Sequence, residues 1–183
     1  VYLLVDSRYY EAAKGEDLEC EVVLLERVEK TISAILEKEH IKKVFIESDY
    51  VTVKELSLFQ KLNTEIISDD TLVNIINDVR TIKTKYEIDK IKESQRITDA
   101  AFSYILERLR PGLSEKEIAI ELEFFMRRNG AQKAAFDFIV VSGPRTALPH
   151  GEPSSRIIEK GDLVTIDMGA VLDGYHSDMT RTV

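Results

Sequence analysis

The chain has 183 residues, 44% of them hydrophobic, and a formal net charge of -8, with a pI near 5.0. This length allows one large or two small domains and supplies enough apolar material for a packed core. Acidity without a basic stretch argues against nucleic acid as a partner, and no apolar run of about 18 residues is present to cross a membrane. The single cysteine, Cys20, permits no internal disulfide, and with no recognisable signal peptide the expected location is cytoplasmic.

The chain opens at Val1 on VYLLV, a buried-strand run with no initiator Met before it, so an upstream beginning is expected. Asp6-Ser7 ends that strand and caps a short helix through Lys14, which Gly15 stops. Glu21 to Leu25 reads as a strand and Val28 to Lys38 as a helix with Val28, Ile32, Ile35 and Leu36 on one side. A strand over Val44 to Glu47 follows. Thr52 starts a helix that turns Val53, Leu56 and Phe59 inward, and Glu65 to Ile67 returns to strand. Alternation of this kind implies an α/β layer with helices covering a partly parallel sheet. His40, at a helix end among charged residues, reads as a surface group.

A boundary is expected near Asp78 to Lys83. Thr84-x-x-Glu87 is a capping box that opens a long helix, with Ile88, Ile91, Thr98, Phe102, Ile105 and Leu109 forming an apolar stripe up to Pro111-Gly112. Ser114-x-x-Glu117 is a second capping box, and the helix after it buries Ile118, Leu122 and Phe125 before Gly130. Packing explains the periodicity of both helices, so they read as scaffold without chemistry. Phe138 to Val141 is a strand that leads into Ser142-Gly143-Pro144. In the loop beyond, His150 stands between Pro149 and Gly151, on a stiffened turn and not on an apolar face, and so is a candidate functional group.

Asp173-Gly174 is a strong two-residue hairpin turn, so Leu163 to Leu172 and Tyr175 to Val183 are predicted to pair antiparallel. Counting outward, Leu172 faces Tyr175, Val171 faces His176, Gly169 faces Asp178 and Asp167 faces Thr180. Alternation then puts Asp167, Gly169, His176, Asp178, Thr180 and Thr182 on one face, with Val164, Ile166, Met168, Ala170, Met179 and Val183 on the other. Asp167 and Asp178 stand on a diagonal, where Cβ atoms are roughly 7 Å apart or somewhat less. Asp167 interrupts a run apolar enough to be a central strand, and a buried carboxylate without a partner is costly unless paired or bound to metal. The two acids are therefore candidate ligands of one cation site, with Gly169 expected to leave the space between them open.

Three motifs in order, H-G-E-P from His150, G-D-L-V-T-I-D-M-G from Gly161 and D-G-Y-H-S-D-M-T-R-T from Asp173, strongly resemble the Xaa-Pro aminopeptidase and prolidase family of metallopeptidases, with the creatinase or pita-bread fold. YLLVDSRY from Tyr2 and RTIKTKYE from Arg80 are similar to the amino-terminal domain and interdomain junction of its proline-specific members. The resemblance implies an α/β creatinase-like accessory domain over 1–80, incomplete at its start, and the first half of an α+β pita-bread catalytic domain over 84–183.

Members of that family bind two divalent metals through five side chains. Asp167 and Asp178 match the first two ligands, with Asp178 expected to bridge both ions. A further His and two Glu would follow Val183. His150 matches the histidine that contacts substrate near the scissile bond, a catalytic and substrate-binding role. The implied reaction is hydrolysis of the bond preceding proline, in dipeptides or longer peptides, by a hydroxide between the metals. A carboxylate-rich site suits manganese, with cobalt or zinc as alternatives. His176 would lie at the rim. Homodimers are common in the family. The alternatives are a non-catalytic binding protein on the same fold and an inert fragment of the enzyme. Loss of the two aspartates would mark the binding protein, and both are present.

Overall fold

A computed structural model describes all residues, 1–183. The chain divides into two compact units, Val1–Ile82 and Lys83–Val183.

The first unit alternates strand and helix throughout: β1 (Tyr2–Val5), α1 (Ser7–Gly15), β2 (Glu21–Leu24), α2 (Val28–Lys38), β3 (Lys43–Phe45), α3 (Val53–Phe59), β4 (Glu65–Ile67) and α4 (Thr71–Thr81). Asp6 caps α1 by accepting from the Arg8 N–H, and Thr52 and Glu55 form a reciprocal capping box on α3. The expected single sheet resolves into two parallel pairs. β1 lies beside β2 and β3 beside β4, with no ladder joining them. Val53, expected inside, is 83% exposed, because the first residue after the cap points off the packed face. α4 went unpredicted, although Leu72, Val73 and Ile76 are its partly buried positions and recur at helical spacing.

The second unit begins with α5 (Lys85–Leu106) and α6 (Glu115–Arg128), both opened by the expected capping boxes, Thr84/Glu87 and Ser114/Glu117. α5 stops at Leu106, short of Pro111, and Ile88 in its first turn is exposed. Its buried stripe is Ser94, Ile97, Thr98, Ala101 and Ile105, so two hydroxyls lie among the apolar groups. Then come β5 (Lys133–Ala134), β6 (Ile139–Ser142), a 3-10 turn over Gly143–Ala147, β7 (Val164–Met168), β8 (Ala170–Leu172), β9 (Tyr175–His176) and β10 (Met179–Thr182). Helices and strands share one core. Ile105, Ile118, Leu122, Met126, Val140, Ile166 and Met168 are all essentially inaccessible, and each such side chain contributes about 1.5–3 kcal/mol on burial.

The hairpin keeps its predicted register from end to end, with Leu172 opposite Tyr175, Val171 opposite His176 and Asp167 opposite Thr180. Asp173 and Gly174 both have positive φ, 50° and 79°, as a type I′ turn requires. It is not one continuous pair, however. Its distal part joins β5 in one antiparallel sheet, β5-β8-β9, and its proximal part joins β6 in another, β10-β7-β6. The ladder changes hands between Gly169 and Ser177. The Ala170 N–H donates to the Ser177 hydroxyl (2.9 Å), while the Ser177 N–H still donates to the Ala170 carbonyl (3.0 Å). A side-chain oxygen has taken the place of one backbone acceptor, and that substitution breaks the strand.

Candidate active site

Asp167 belongs to β7, the middle strand of its sheet, with Ile139 of β6 and Thr180 of β10 in register on either side. Along β7 burial alternates, Val164, Ile166 and Met168 being buried while Thr165 and Asp167 are only partly so. The apolar residues face the helices. Across the turn Ser177 and Met179 are buried and Asp178 and Thr180 are exposed, so parity sends Asp167 and Asp178 to the same side of the ribbon.

The two carboxylates differ in environment. Asp178 is exposed, whereas Oδ1 of Asp167 is buried and has no hydrogen-bond partner. A buried carboxylate oxygen without a donor is costly, and a cation would supply what the protein does not. The pair therefore fits a divalent ion as part of a ligand set. No three His, Cys, Asp or Glu side chains of this chain converge into a metal-holding group.

Beneath Asp178 the backbone is held from the helix side. The Ser177 hydroxyl lies 2.7 Å from Thr98 Oγ1 and receives a hydrogen bond from Ser94 (3.1 Å), which lets the buried hydroxyls of α5 fix the strand break. Gly169 has a different reason from the open space expected of it. A Cβ there would come within 2.1 Å of the Ser177 carbonyl oxygen and 2.9 Å of the Phe136 ring, so glycine is required by the close passage of the partner backbone. At the far end, the Lys90 ammonium bonds Asp173 (2.7 Å) and Glu93 (3.1 Å), tying the turn to α5. Those contacts push the Lys90 pKa well above its ordinary value, the Asp173 hydrogen bond most strongly.

His150 is exposed and lines a cavity of about 480 Å³ together with Asp137, Phe138, Ile139, Glu152 and Pro153. Ile139 also stands in the Thr180–Asp167–Ile139 row, which links the cavity to the carboxylate strand. Neither Asp167 nor Asp178 lines that cavity. His176, expected at the rim, is exposed opposite Val171.

Sequence reasoning missed the group that organises the His150 loop. Glu115, the first residue of α6, is fully buried. One of its oxygens accepts from the Ser142 N–H (2.7 Å) and hydroxyl (2.9 Å). The other accepts from the Ser154 N–H (3.0 Å), the Ser154 hydroxyl (2.6 Å) and Arg145 Nε (3.2 Å). Burial pushes its carboxyl up, but the hydrogen bonds from Ser154 and Ser142 outweigh that and hold it below the usual glutamate value. Nearby, Arg156 grips Asp162 through two contacts (2.6 and 3.1 Å) and reaches Ser142 Oγ (2.5 Å). That guanidinium keeps the Asp162 carboxyl below its ordinary range. Asp137 in the cavity wall was also missed. Nothing in a short loop acid of this kind separates it from a solvated one.

With this geometry in place, comparison with known proteins is informative. The family model described as Metallopeptidase family M24 matches residues 89–183. An uncharacterized peptidase of Bacillus subtilis, YqhT, is 40% identical over 98% of this chain and 51% of its own length. The Xaa-Pro dipeptidase of Pyrococcus horikoshii is 39% identical over 99% of this chain and 50% of its own. Among solved structures, an Xaa-Pro dipeptidase from Bacillus anthracis superimposes with a TM-score of 0.90 at 42% identity, covering 98% of this chain and 50% of that one. The chain thus spans about half the length of the curated relatives it matches.

Proposed function

Because the chain belongs to metallopeptidase family M24 and shares the pita-bread fold of its prolidase members, we propose that the whole protein is a metal-dependent peptidase that cleaves the bond preceding proline. The observation that carries the reading is the buried, donorless Oδ1 of Asp167 on the face that Asp178 shares. Under it, residues 84–183 form the first half of the pita-bread catalytic domain and residues 1–80 a creatinase-like accessory domain. The substrates are Xaa-Pro dipeptides or longer proline-containing peptides.

Asp167 and Asp178 would hold the metal, with manganese favoured by the hard oxygen donors and cobalt or zinc as alternatives. A bound divalent pair supplies a nucleophile at neutral pH and stabilises charge on the scissile carbonyl. The protein residues do the rest. Asp178, exposed at the strand break, would be a ligand shared by the bound ions. Asp167, on the central strand, is held rigidly by neighbours in register on both sides. His150, exposed in its cavity, donates a hydrogen bond or proton to the substrate as the carbonyl becomes tetrahedral. The cavity wall from Phe138, Ile139 and Pro153 is apolar enough to receive a small side chain. A further His and two Glu complete the ligand set outside these residues. The expected setting is the cytoplasm, and the homodimers common in the family are compatible with this reading.

The test is hydrolysis by the full-length protein of an Xaa-Pro dipeptide, an Xaa-Pro-Yaa tripeptide and Xaa-Ala controls, before and after chelation. The reading expects cleavage confined to proline substrates, lost on chelation and restored by manganese. Equal cleavage of the alanine controls, or full activity in chelator, would overturn it.

A further inference from the structure

Glu115 is buried and stands on α6, not on the strand ribbon that carries both aspartates, and its surroundings give it a definite task. Its two carboxylate oxygens are divided between the two ends of one loop. Oε1 takes the N–H and hydroxyl of Ser142, where β6 ends, and Oε2 takes the N–H and hydroxyl of Ser154, just past Pro153. Between those ends the chain carries His150. An ionised carboxylate has about four acceptor sites, and no neutral side chain could hold both ends as fully.

A third donor extends the grip into the loop. Arg145 gives Nε to Glu115 Oε2 (3.2 Å) and Nη2 to the Glu152 carbonyl (2.7 Å), two residues from His150. Gly151 beside it is buried so closely that a Cβ would meet Val141 Cγ1 at 2.6 Å. The backbone on the C-terminal side of His150 is thereby fixed while its imidazole stays exposed in the cavity. The helix itself is registered against the outgoing chain. The N–H groups of Glu115 and Lys116 donate to the carbonyls of Arg156 and Ser154, both at 3.1 Å. A carboxylate in the first turn of α6 is also favoured by the helix dipole.

We propose that Glu115 is a positioning residue for His150, clamping both ends of the 142–154 loop so that the imidazole is presented to the substrate in one place. The proposal rests on the peptidase reading above for its effect on turnover, and on the clamp geometry alone for its effect on the loop.

The experiment is a double-mutant cycle in the full-length protein, with kcat and KM for an Xaa-Pro dipeptide measured for wild type, Glu115→Gln, His150→Ala and the pair. Displacing a catalytic group from a distance costs on the order of a hundredfold in rate. That loss is expected in kcat for Glu115→Gln, with KM and bound metal nearly unchanged. Adding Glu115→Gln to His150→Ala should cost nothing more. An equal loss in both backgrounds, or an unchanged kcat in the single variant, would overturn the proposal. Ser154→Ala, a milder change, should follow the same non-additive pattern and decides the matter if Glu115→Gln does not fold. If wild type cleaves no proline substrate the peptidase reading falls, and if His150→Ala keeps full turnover the catalytic role of His150 falls; in either case the clamp is judged by NMR of labelled histidines. Glu115→Gln should then shift or broaden the His150 imidazole signals and leave those of His40 and His176 in place; unmoved His150 signals would refute the clamp.

Discussion

Asp167 presents the sharpest contrast between sequence pattern and surroundings in this chain. Its strand neighbours are buried, its own Oδ1 is buried, and no donor reaches that oxygen. Leaving such a group unsatisfied costs about 1–3 kcal/mol. In the full-length protein Asp167→Asn should therefore raise the metal-free stability by on the order of 1 kcal/mol and abolish the stabilisation by added divalent metal that the reading expects of the wild type. Denaturant unfolding with and without manganese checks both halves, and lower metal-free stability in the variant would count against the orphaned charge. At Gly169 the expectation runs the other way. A methyl group there would sit 2.1 Å from a backbone oxygen that cannot swing aside, so Gly169→Ala should destabilise by at least about 2 kcal/mol, read from the same unfolding curves. The sequence placed Gly169 opposite Asp178 correctly but attached the wrong reason to it, since the approach of a partner carbonyl is a tertiary fact with no local signature. Glu115 was hidden for a related reason. In a helix's first turn a glutamate next to the capping serine reads as a dipole-favoured surface acid, and only the folded loop reveals that it is enclosed.

At the level of elements, features set by short-range chemistry were readable in advance. The capping boxes at Thr84 and Ser114, the Asp173-Gly174 turn and the register that follows from it depend on residues within four positions of one another or on strict alternation. What was not readable depends on partners far along the chain. The short strand β5 exists because it pairs with β8, and the hairpin divides between two sheets because the Ser177 hydroxyl, braced by Ser94 and Thr98, displaces a backbone acceptor. The α6 terminus carries its own prediction. The folded-state pKa of Glu115 is depressed, so the clamp's contribution to stability is fully present above the unfolded value near 4.5 and is lost as pH falls through the lower folded value. Asp162, held by Arg156, acts in the same direction. Thermal melts from neutrality downward should show wild type well above Glu115→Gln at neutral pH and the two converging in acid. A gap that stayed constant or widened in acid would contradict the charged clamp.

For the whole molecule, each of the two compact units has its own character. The first buries only Ile46 and Leu62 among its hydrophobic residues, whereas the second holds the continuous core on which the candidate site stands. No helix is long and apolar enough to cross a membrane. Two aspartates on one face, without a third converging ligand, cannot grip two cations tightly. Calorimetric titration of these 183 residues with manganese is expected to show weak binding at most, and two tight sites would contradict the need for ligands from elsewhere. The most direct test lies in the full-length protein, with metal content and Xaa-Pro hydrolysis measured together after Asp178→Ala. The account predicts loss of bound divalent metal and of proline-directed cleavage in the same variant, with the fold intact by circular dichroism. Stoichiometric metal together with undiminished turnover would contradict it.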